Sequence, residues 1–261
     1  MSKHPDPKVH TEWKEYGDQG EIAIVTIDYR TRLNVLNTEM MNLLIGALKQ
    51  ALDKDSLRCI ILTGAGDRAF IGGADIKEFA VLDQAGAEVF ITKVHEVCQT
   101  IRDCRVPVIA RINGYCLGAG MEVAASCDLR IASTGSTFGM PEVQVGVPSV
   151  VEAALLPRLM GIGKAAELVL TGEMISAEEA HRYGFLERIA PTHRLHTHLQ
   201  EWLDSILSAA PNALRLQKEL MHQWEELPMT DAIQAGIKSF GAAFASGEPQ
   251  KYSAPFLGDK K

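Results

Sequence analysis

Residues 113–128 read Asn-Gly-Tyr-Cys-Leu-Gly-Ala-Gly-Met-Glu-Val-Ala-Ala-Ser-Cys-Asp, and the reading of this stretch decides the fold. Just before it, Pro107 to Ile112 (Pro-Val-Ile-Ala-Arg-Ile) is a short apolar, β-branched run of the kind that makes a buried strand. Gly114, Gly118 and Gly120 let the backbone turn sharply and keep side-chain bulk away from it. Met121 to Cys127 holds good or neutral helix formers, which predicts a buried helix starting close to Ala119. The first amides of a helix lack carbonyl partners, and the macrodipole makes that end attractive to negative charge. A carbonyl oxygen becoming anionic during reaction is stabilised in such a place. Glu122 lies three residues beyond Ala119, on the same side of the first turn. Two readings stay open from this stretch alone. One is an anion-stabilising amide with a carboxylate beside it; the other is a buried strand-to-helix turn whose Glu complements the dipole.

Outward from this centre, the pattern alternates strands with helices. Residues 9–16 and Glu21 to Asp28 predict a hairpin around Gly17-Asp18-Gln19-Gly20, its second strand apolar enough to be covered on both faces. Asn37 or Thr38 can cap a helix reaching Asp53, with Met41, Leu44, Leu48 and Leu52 along one stripe. Arg58 to Thr63 is the next strand, followed by a helix from about Asp83 to Asp103 with Phe90, Val94, Val97 and Ile101 facing the core. Leu129 to Ala132 is a short strand. This order predicts an α/β layer arrangement. From about Val150 the chain turns helical. Ser176 and Glu179 form a capping box, Gly184 is a stop, and residues 185–190 are extended. Three apolar-patterned segments follow near 195–209, 211–226 and 230–245. The expected division is a core over 1–190 and a helical region over 191–261.

Composition narrows the function classes. At 261 residues the chain can bury a large core. A net charge of −7 argues against a nucleic-acid binder and suits a soluble enzyme. Five cysteines without a CxxC pair point to reduced thiols, and Cys59, Cys98, Cys116 and Cys127 sit in apolar runs as core fillers. The N-terminal residues lack the apolar core of a secretory signal, Gly258-Asp259-Lys260-Lys261 matches no common address signal, and no apolar run is long enough to span a bilayer. The expectation is a cytoplasmic protein without membrane contact.

Two further stretches bear on the centre. Ala69 to Phe79 (Ala-Phe-Ile-Gly-Gly-Ala-Asp-Ile-Lys-Glu-Phe) is a second Gly-rich turn, able to expose the amide of Ala74. Phe138 to Gly146 (Phe-Gly-Met-Pro-Glu-Val-Gln-Val-Gly) sets another carboxylate, Glu142, behind a proline. Taken together, the three stretches resemble the enoyl-CoA hydratase/isomerase (crotonase) superfamily. The resemblance runs from Arg32-Leu33-Asn34-Val35-Leu36-Asn37 to the helical C-terminus, with Glu122 and Glu142 at the family's twenty-residue spacing.

The resemblance implies a spiral of ββα units, as in the ClpP-like crotonase fold, with C-terminal helices mediating trimer contacts and a homotrimer or a homohexamer of two trimers as the particle. It implies an enoyl-CoA hydratase, a lyase of acyl-CoA metabolism that adds water to an α,β-unsaturated thioester. Ala74 and Ala119 fall on the family's two oxyanion-hole amides, and Ala119 stands where many members have Gly, a change a backbone donor tolerates. Glu122 is then assigned mainly to water activation and Glu142 mainly to α-carbon protonation, although a coupled pair shares its protons. Coenzyme A is carried by the substrate, so no cofactor and no metal is expected. Arg32 and Leu33, with Gly73, Ala74, Asp75, Ile76 and Lys77, match segments lining the coenzyme A path. Lys77 and Arg32 either reach its polar end or are ordinary surface cations. Lys260 and Lys261 either meet phosphate across a subunit boundary or fray.

The chain departs from the family's pattern after Glu142. Common hydratases continue with a Gly-rich run, whereas here Pro148 is followed by Ser149-Val150-Val151-Glu152. Ser149 is expected to cap the helix that follows. Glu152 is either buried beside the acyl pocket or turned into a subunit contact. Other reactions on the scaffold (isomerisation, decarboxylation, C–C hydrolysis) and a non-catalytic scaffold are the rivals. Gly64 to Ala69 fits a G-x-G-x-x-A dinucleotide fingerprint, but Phe70-Ile71-Gly72-Gly73 breaks the helix it should open. His193, His196 and His198 lie in a polar connector without matching metal-ligand spacing.

Overall fold

A computed structural model describes residues 6–257. Among the described residues, ten strands form two sheets. The strands are β1 (Lys8–Glu15), β2 (Glu21–Asp28), β3 (Leu57–Gly64), β4 (Ala69–Ile71), β5 (Val108–Ile112), β6 (Tyr115–Leu117), β7 (Leu129–Ser133), β8 (Thr137–Gly139), β9 (Met174–Ser176) and β10 (Arg188–Ala190). Six of them make a sheet in the order β1-β2-β3-β5-β7-β10, and four make a smaller one in the order β4-β6-β8-β9. The large sheet is parallel apart from β1, which closes one edge antiparallel to β2 in register from Lys8↔Asp28 to Glu15↔Glu21. Each successive pair, β3–β4, β5–β6 and β7–β8, gives its first strand to the large sheet and its second to the small one. That alternation is the ββα spiral.

The covered strands explain their own sequences. Along β3 every residue is buried, and its side chains alternate between two cores. Ile60 and Leu62 point into a core shared with the helices α1 (Thr38–Leu52), α3 (Gln84–Arg102) and α4 (Ala119–Ser126). The four-residue helix α2 (Ile76–Phe79) precedes α3. Cys59 and Ile61 point to the other face, together with Ile22, Ile109 and Ile131. A strand with both faces dry has no place for period-two polarity.

Helix starts follow their caps. Asn37 accepts from the Met40 amide at 2.8 Å and opens α1, whose buried stripe is Met40, Met41, Leu44, Leu48 and Ala51, with Leu52 only part-buried. Asp83 accepts from the Gly86 amide at 2.8 Å and opens α3, where Phe90, Val94, Val97 and Ile101 are all buried. After α4 come α5 (Leu156–Met160), α6 (Ile162–Thr171) and α7 (Ala177–Arg182), the last opened by the Ser176–Glu179 capping box. Then follow α8 (Leu195–Ser208), α9 (Pro211–Glu226), α10 (Met229–Ala243) and α11 (Glu248–Ser253). Helix α8 lays Leu195, Leu199, Leu203 and Leu207 on the outer face of the large sheet. Arg58 fastens it by donating to the carbonyls of Ile206 and Ala209. Buried Lys218 docks α9, donating to Asp128 at 2.8 Å and to the carbonyls of Ile101 and Val106. No described helix is long and apolar enough to cross a membrane.

The small sheet is the part that sequence periodicity does not reveal. Its strands have three residues each, too few for alternation to register. Gly64 to Ala69 leads into β4 rather than a helix, so the fingerprint-like glycines serve a strand-to-strand turn. Lys260 and Lys261 lie outside the described residues.

Candidate active site

Three neighbouring parallel strands of the small sheet, β4, β6 and β8, end side by side, with Ile71 paired to Cys116 and Leu117 to Gly139. Ala74 follows the end of β4, Ala119 the end of β6, and Glu142 the end of β8. The carboxyl ends of parallel strands are where open sheets gather their ligands. The chain therefore brings the three separate stretches to one place because they follow equivalent strands.

Backbone pairing sets the direction of the Ala74 amide. Leu36 donates to the Gly73 carbonyl and Asp75 donates to the Leu36 carbonyl, both at 2.9 Å, making an isolated parallel bridge between Leu36 and Ala74. In such a bridge the N–H of the central residue points away from its partner strand. Gly72 also donates to the Leu33 carbonyl at 2.9 Å, and a Cβ on Gly72 would crowd Leu33. Leu33 and Asn34 both carry positive φ, 56° and 54°, which bends the chain back over this turn. The Asn34 side chain holds that bend by accepting from the Tyr29 amide and donating to the Ala69 carbonyl.

Ala119 is the first residue of α4, entered through Gly118 at φ 51°. Gly118 donates to the Gly139 carbonyl and accepts from the amides of Met121 and Glu122. The Ala119 amide is left over by that arrangement. Among the described residues, neither the Ala74 nor the Ala119 N–H donates to a protein acceptor. A side chain at Gly118 would collide with the Glu142 carboxyl, and one at Gly120 with the Ile71 carbonyl. These two glycines are thus small for different reasons: one admits a carboxylate, the other lets α4 pack on β4.

The acids meet at the same helix end. Glu122 is 3% exposed. Burial, followed by the neighbouring charges of Glu142 and Glu152, pushes its carboxyl up to about 8, partly offset by the main chain at Val150 and Ala153. Glu142 lies in the first turn of the short 3₁₀ segment Pro141–Val145, and burial raises it too, against the opposing pull of its own amide and of Ser149. Burial and mutual repulsion thus raise both carboxyls, so the two acids compete for protons as a coupled pair.

The remaining residues singled out from the sequence divide. Arg32 reaches Asp75 through both arms of its guanidinium, at 2.6 and 2.8 Å, and lies 5.6 Å from the Tyr29 ring. Asp75 is buried and also caps α2 by accepting from the Lys77 amide at 3.0 Å. Arg32 is therefore engaged in bracing the Gly72–Gly73–Ala74 turn. Ile76 and Lys77 are exposed at the start of α2, at the rim of the site. Phe138 is fully buried edge-on to Phe185 in the core.

One expectation changes, and one residue gains a partner. Ser149 caps no helix. The following 3₁₀ helix, Val151–Leu155, starts from Val150 without a side-chain cap, and Ser149 Oγ donates instead to Glu142 Oε2 at 2.9 Å. Glu152 is buried, and its Oε1 lies 2.7 Å from Nδ1 of His95 on α3. Sequence reading left Glu152 undecided and missed His95, because the two are 57 residues apart and meet only through packing.

Comparison with known proteins agrees with this arrangement. A family model described as enoyl-CoA hydratase/isomerase matches residues 17–260. The chain is 32% identical to a short-chain-enoyl-CoA hydratase of Clostridium acetobutylicum over 93% of its own length and 94% of that protein. It is 31% identical to a crotonyl-CoA hydratase of Syntrophomonas wolfei, covering 92% and 93%. Among solved structures, an enoyl-CoA hydratase from Bacillus anthracis superposes with a TM-score of 0.84 at 30% identity, over 91% of each chain.

Proposed function

The chain belongs to the enoyl-CoA hydratase/isomerase family, and on that premise we propose that it adds water across the 2,3 double bond of an α,β-unsaturated acyl-CoA. The observation that carries this is the convergence of two unpaired main-chain N–H groups, Ala74 and Ala119, with the two acids Glu122 and Glu142 at the ends of adjacent strands.

Addition of water builds negative charge on the thioester oxygen. The Ala74 and Ala119 amides hold that oxygen, each worth ~3–4 kcal/mol in the transition state for donors of this type. One water sits between the two acids. The ionised carboxyl takes a proton from it as its oxygen bonds to C3, and the protonated carboxyl delivers a proton to C2. The family resemblance gives Glu122 the first task and Glu142 the second. Burial raises both carboxyls, and Glu142 adds to the rise of Glu122, so the proton is shared across the pair before water is activated. The pair acts as one unit carrying one proton.

Arg32 and Asp75 brace the turn that presents Ala74, while Leu33, Gly73, Ile76 and Lys77 line the route of the coenzyme A portion. Coenzyme A arrives with the substrate, and no resident cofactor or metal enters the scheme. The net charge of −7 speaks against a nucleic-acid partner. A core over 1–190 with an oligomerising region over 191–261 fits a homotrimer or homohexamer. Exposed Met229, Ile237, Phe240 and Phe256 on the last helices support such contacts, while α8 serves the sheet. The working compartment is the cytoplasm.

The test is a panel of short, long, branched and carboxylated α,β-unsaturated acyl-CoAs, followed through loss of the conjugated thioester absorbance. Consumption of at least one with formation of the 3-hydroxyacyl product is expected. Double-bond migration, decarboxylation or C–C cleavage without hydration would assign one of the rival reactions, and no turnover together with no acyl-CoA-induced thermal shift would assign a scaffold.

A further inference from the structure

Beyond the two acids of the reaction, a third carboxylate lies in the same buried cluster. Glu152 sits in the 3₁₀ helix Val151–Leu155, which packs against both α3 and α4. Its Oε1 is held 2.7 Å from His95 Nδ1, and its Oε2 is buried with no hydrogen-bond partner among the described residues. The residue before it, Val151, has φ 42°, a region that β-branched residues avoid. An orphaned buried oxygen and a strained backbone in consecutive residues both work against stability. Packing alone does not account for keeping them together.

We propose that Glu152, held by His95, is a positioning residue that keeps the shared proton on the Glu122–Glu142 pair. The inference rests on the hydratase reading above. The groups around Glu122 come from every element packed on it. Glu142 approaches from the segment after β8, with Ser149 hydrogen-bonded to it. Glu152 and the main chain of Val150 and Ala153 approach from the 3₁₀ helix. His95 and Cys98 belong to α3, and Ser126 of α4 donates to the Glu122 carbonyl at 2.8 Å. Glu152 and Glu142 are the two carboxylates whose charge opposes loss of the Glu122 proton. Glu142 exchanges protons with the reacting atoms, whereas Glu152 takes no part in the chemistry and is held in place by His95. His95, half exposed, anchors Glu152 from the solvent side.

The experiment compares the pH profile of kcat/KM for wild type, E152Q, H95L and the double variant. The Gln keeps the shape and removes the charge, so the alkaline limb should move to lower pH by about one pH unit. H95L, which loosens the anchor, should move it the same way, and the double variant no further than E152Q alone. A limb that stays in place in E152Q, whether or not the rate falls at all pH values, would mark a structural role and overturn the proposal. H95L keeps the question answerable if E152Q does not fold. A second readout is free of turnover: infrared titration of the protonated carboxyl band that E122Q removes. That band should titrate at lower pH in E152Q even if no enoyl-CoA is hydrated, in which case the hydratase reading fails and the positioning role survives. An unshifted band would refute it.

Discussion

The Ser149 hydroxyl donates to Glu142 Oε2 at 2.9 Å, while the other oxygen of that carboxyl, Oε1, lies against Gly118. One acid is thus held by a hydroxyl seven residues on and accommodated by a glycine that opens the helix carrying the other acid. The orientation of Glu142 is shared between this hydroxyl and the main chain of its own loop, with the absence of a side chain at Gly118 leaving the space it occupies.

Removing the hydroxyl removes a donor that favours the ionised form of Glu142. In S149A the Glu142 carboxyl should rise further above its ordinary range, so the acid limb of kcat/KM should move to higher pH. A hydrogen bond to a charged group is worth ~1.5–3 kcal/mol, which sets the expected movement at about one to two pH units. S149T should restore the limb. Measured pH profiles of the three proteins check this.

A methyl group at Gly118 has no room, and φ 51° strains it further. G118A should lose at least about 100-fold in kcat/KM by displacing Glu142, in line with the rate worth of a positioned acid or base. Far-ultraviolet circular dichroism should still report a folded chain, and kinetics on the same sample should report the loss.

Glu122 also carries a stability signature. Its carboxyl is raised from 4.5 in the unfolded chain to about 8 in the folded one. The folded state therefore holds this proton more tightly, and the stability it contributes is fully present below pH 4.5 and lost as pH rises towards 8. E122Q has no such loss. Its unfolding free energy should exceed that of wild type by an amount that grows across this window and levels off above it. Denaturant titrations at several pH values measure the difference.

Lys218 tests the docking of the C-terminal helices. It is buried with Asp128 and two carbonyls as partners. K218A leaves the carboxylate and both carbonyls short of a donor, and should cost about 3–5 kcal/mol of stability, the typical penalty for breaking one side of a buried pair. Chemical denaturation of the two proteins decides this.

Most of the fold is legible in the sequence because long elements carry periodicity. The stripe Phe90, Val94, Val97 and Ile101 defined α3, and the unbroken apolar run of β2 announced a strand covered on both faces. The four short strands of the small sheet gave no such signal, although they are what place Ala74, Ala119 and Glu142 together. Side-chain roles set by packing were also hidden. Ser149 looks like a cap in sequence, since only the tertiary approach of the Glu142 carboxyl gives its hydroxyl a stronger acceptor. Glu152 and His95 lie on different elements, and nothing local to either marks the pair.

The most direct test of the central claim is the hydration rate of E122Q and E142Q, each measured with an enoyl-CoA that the wild-type protein consumes. Both acids govern one water, so each single substitution should reduce kcat by about 100- to 10,000-fold while the protein still binds the acyl-CoA. Hydration that survives either substitution at close to the wild-type rate would contradict the account.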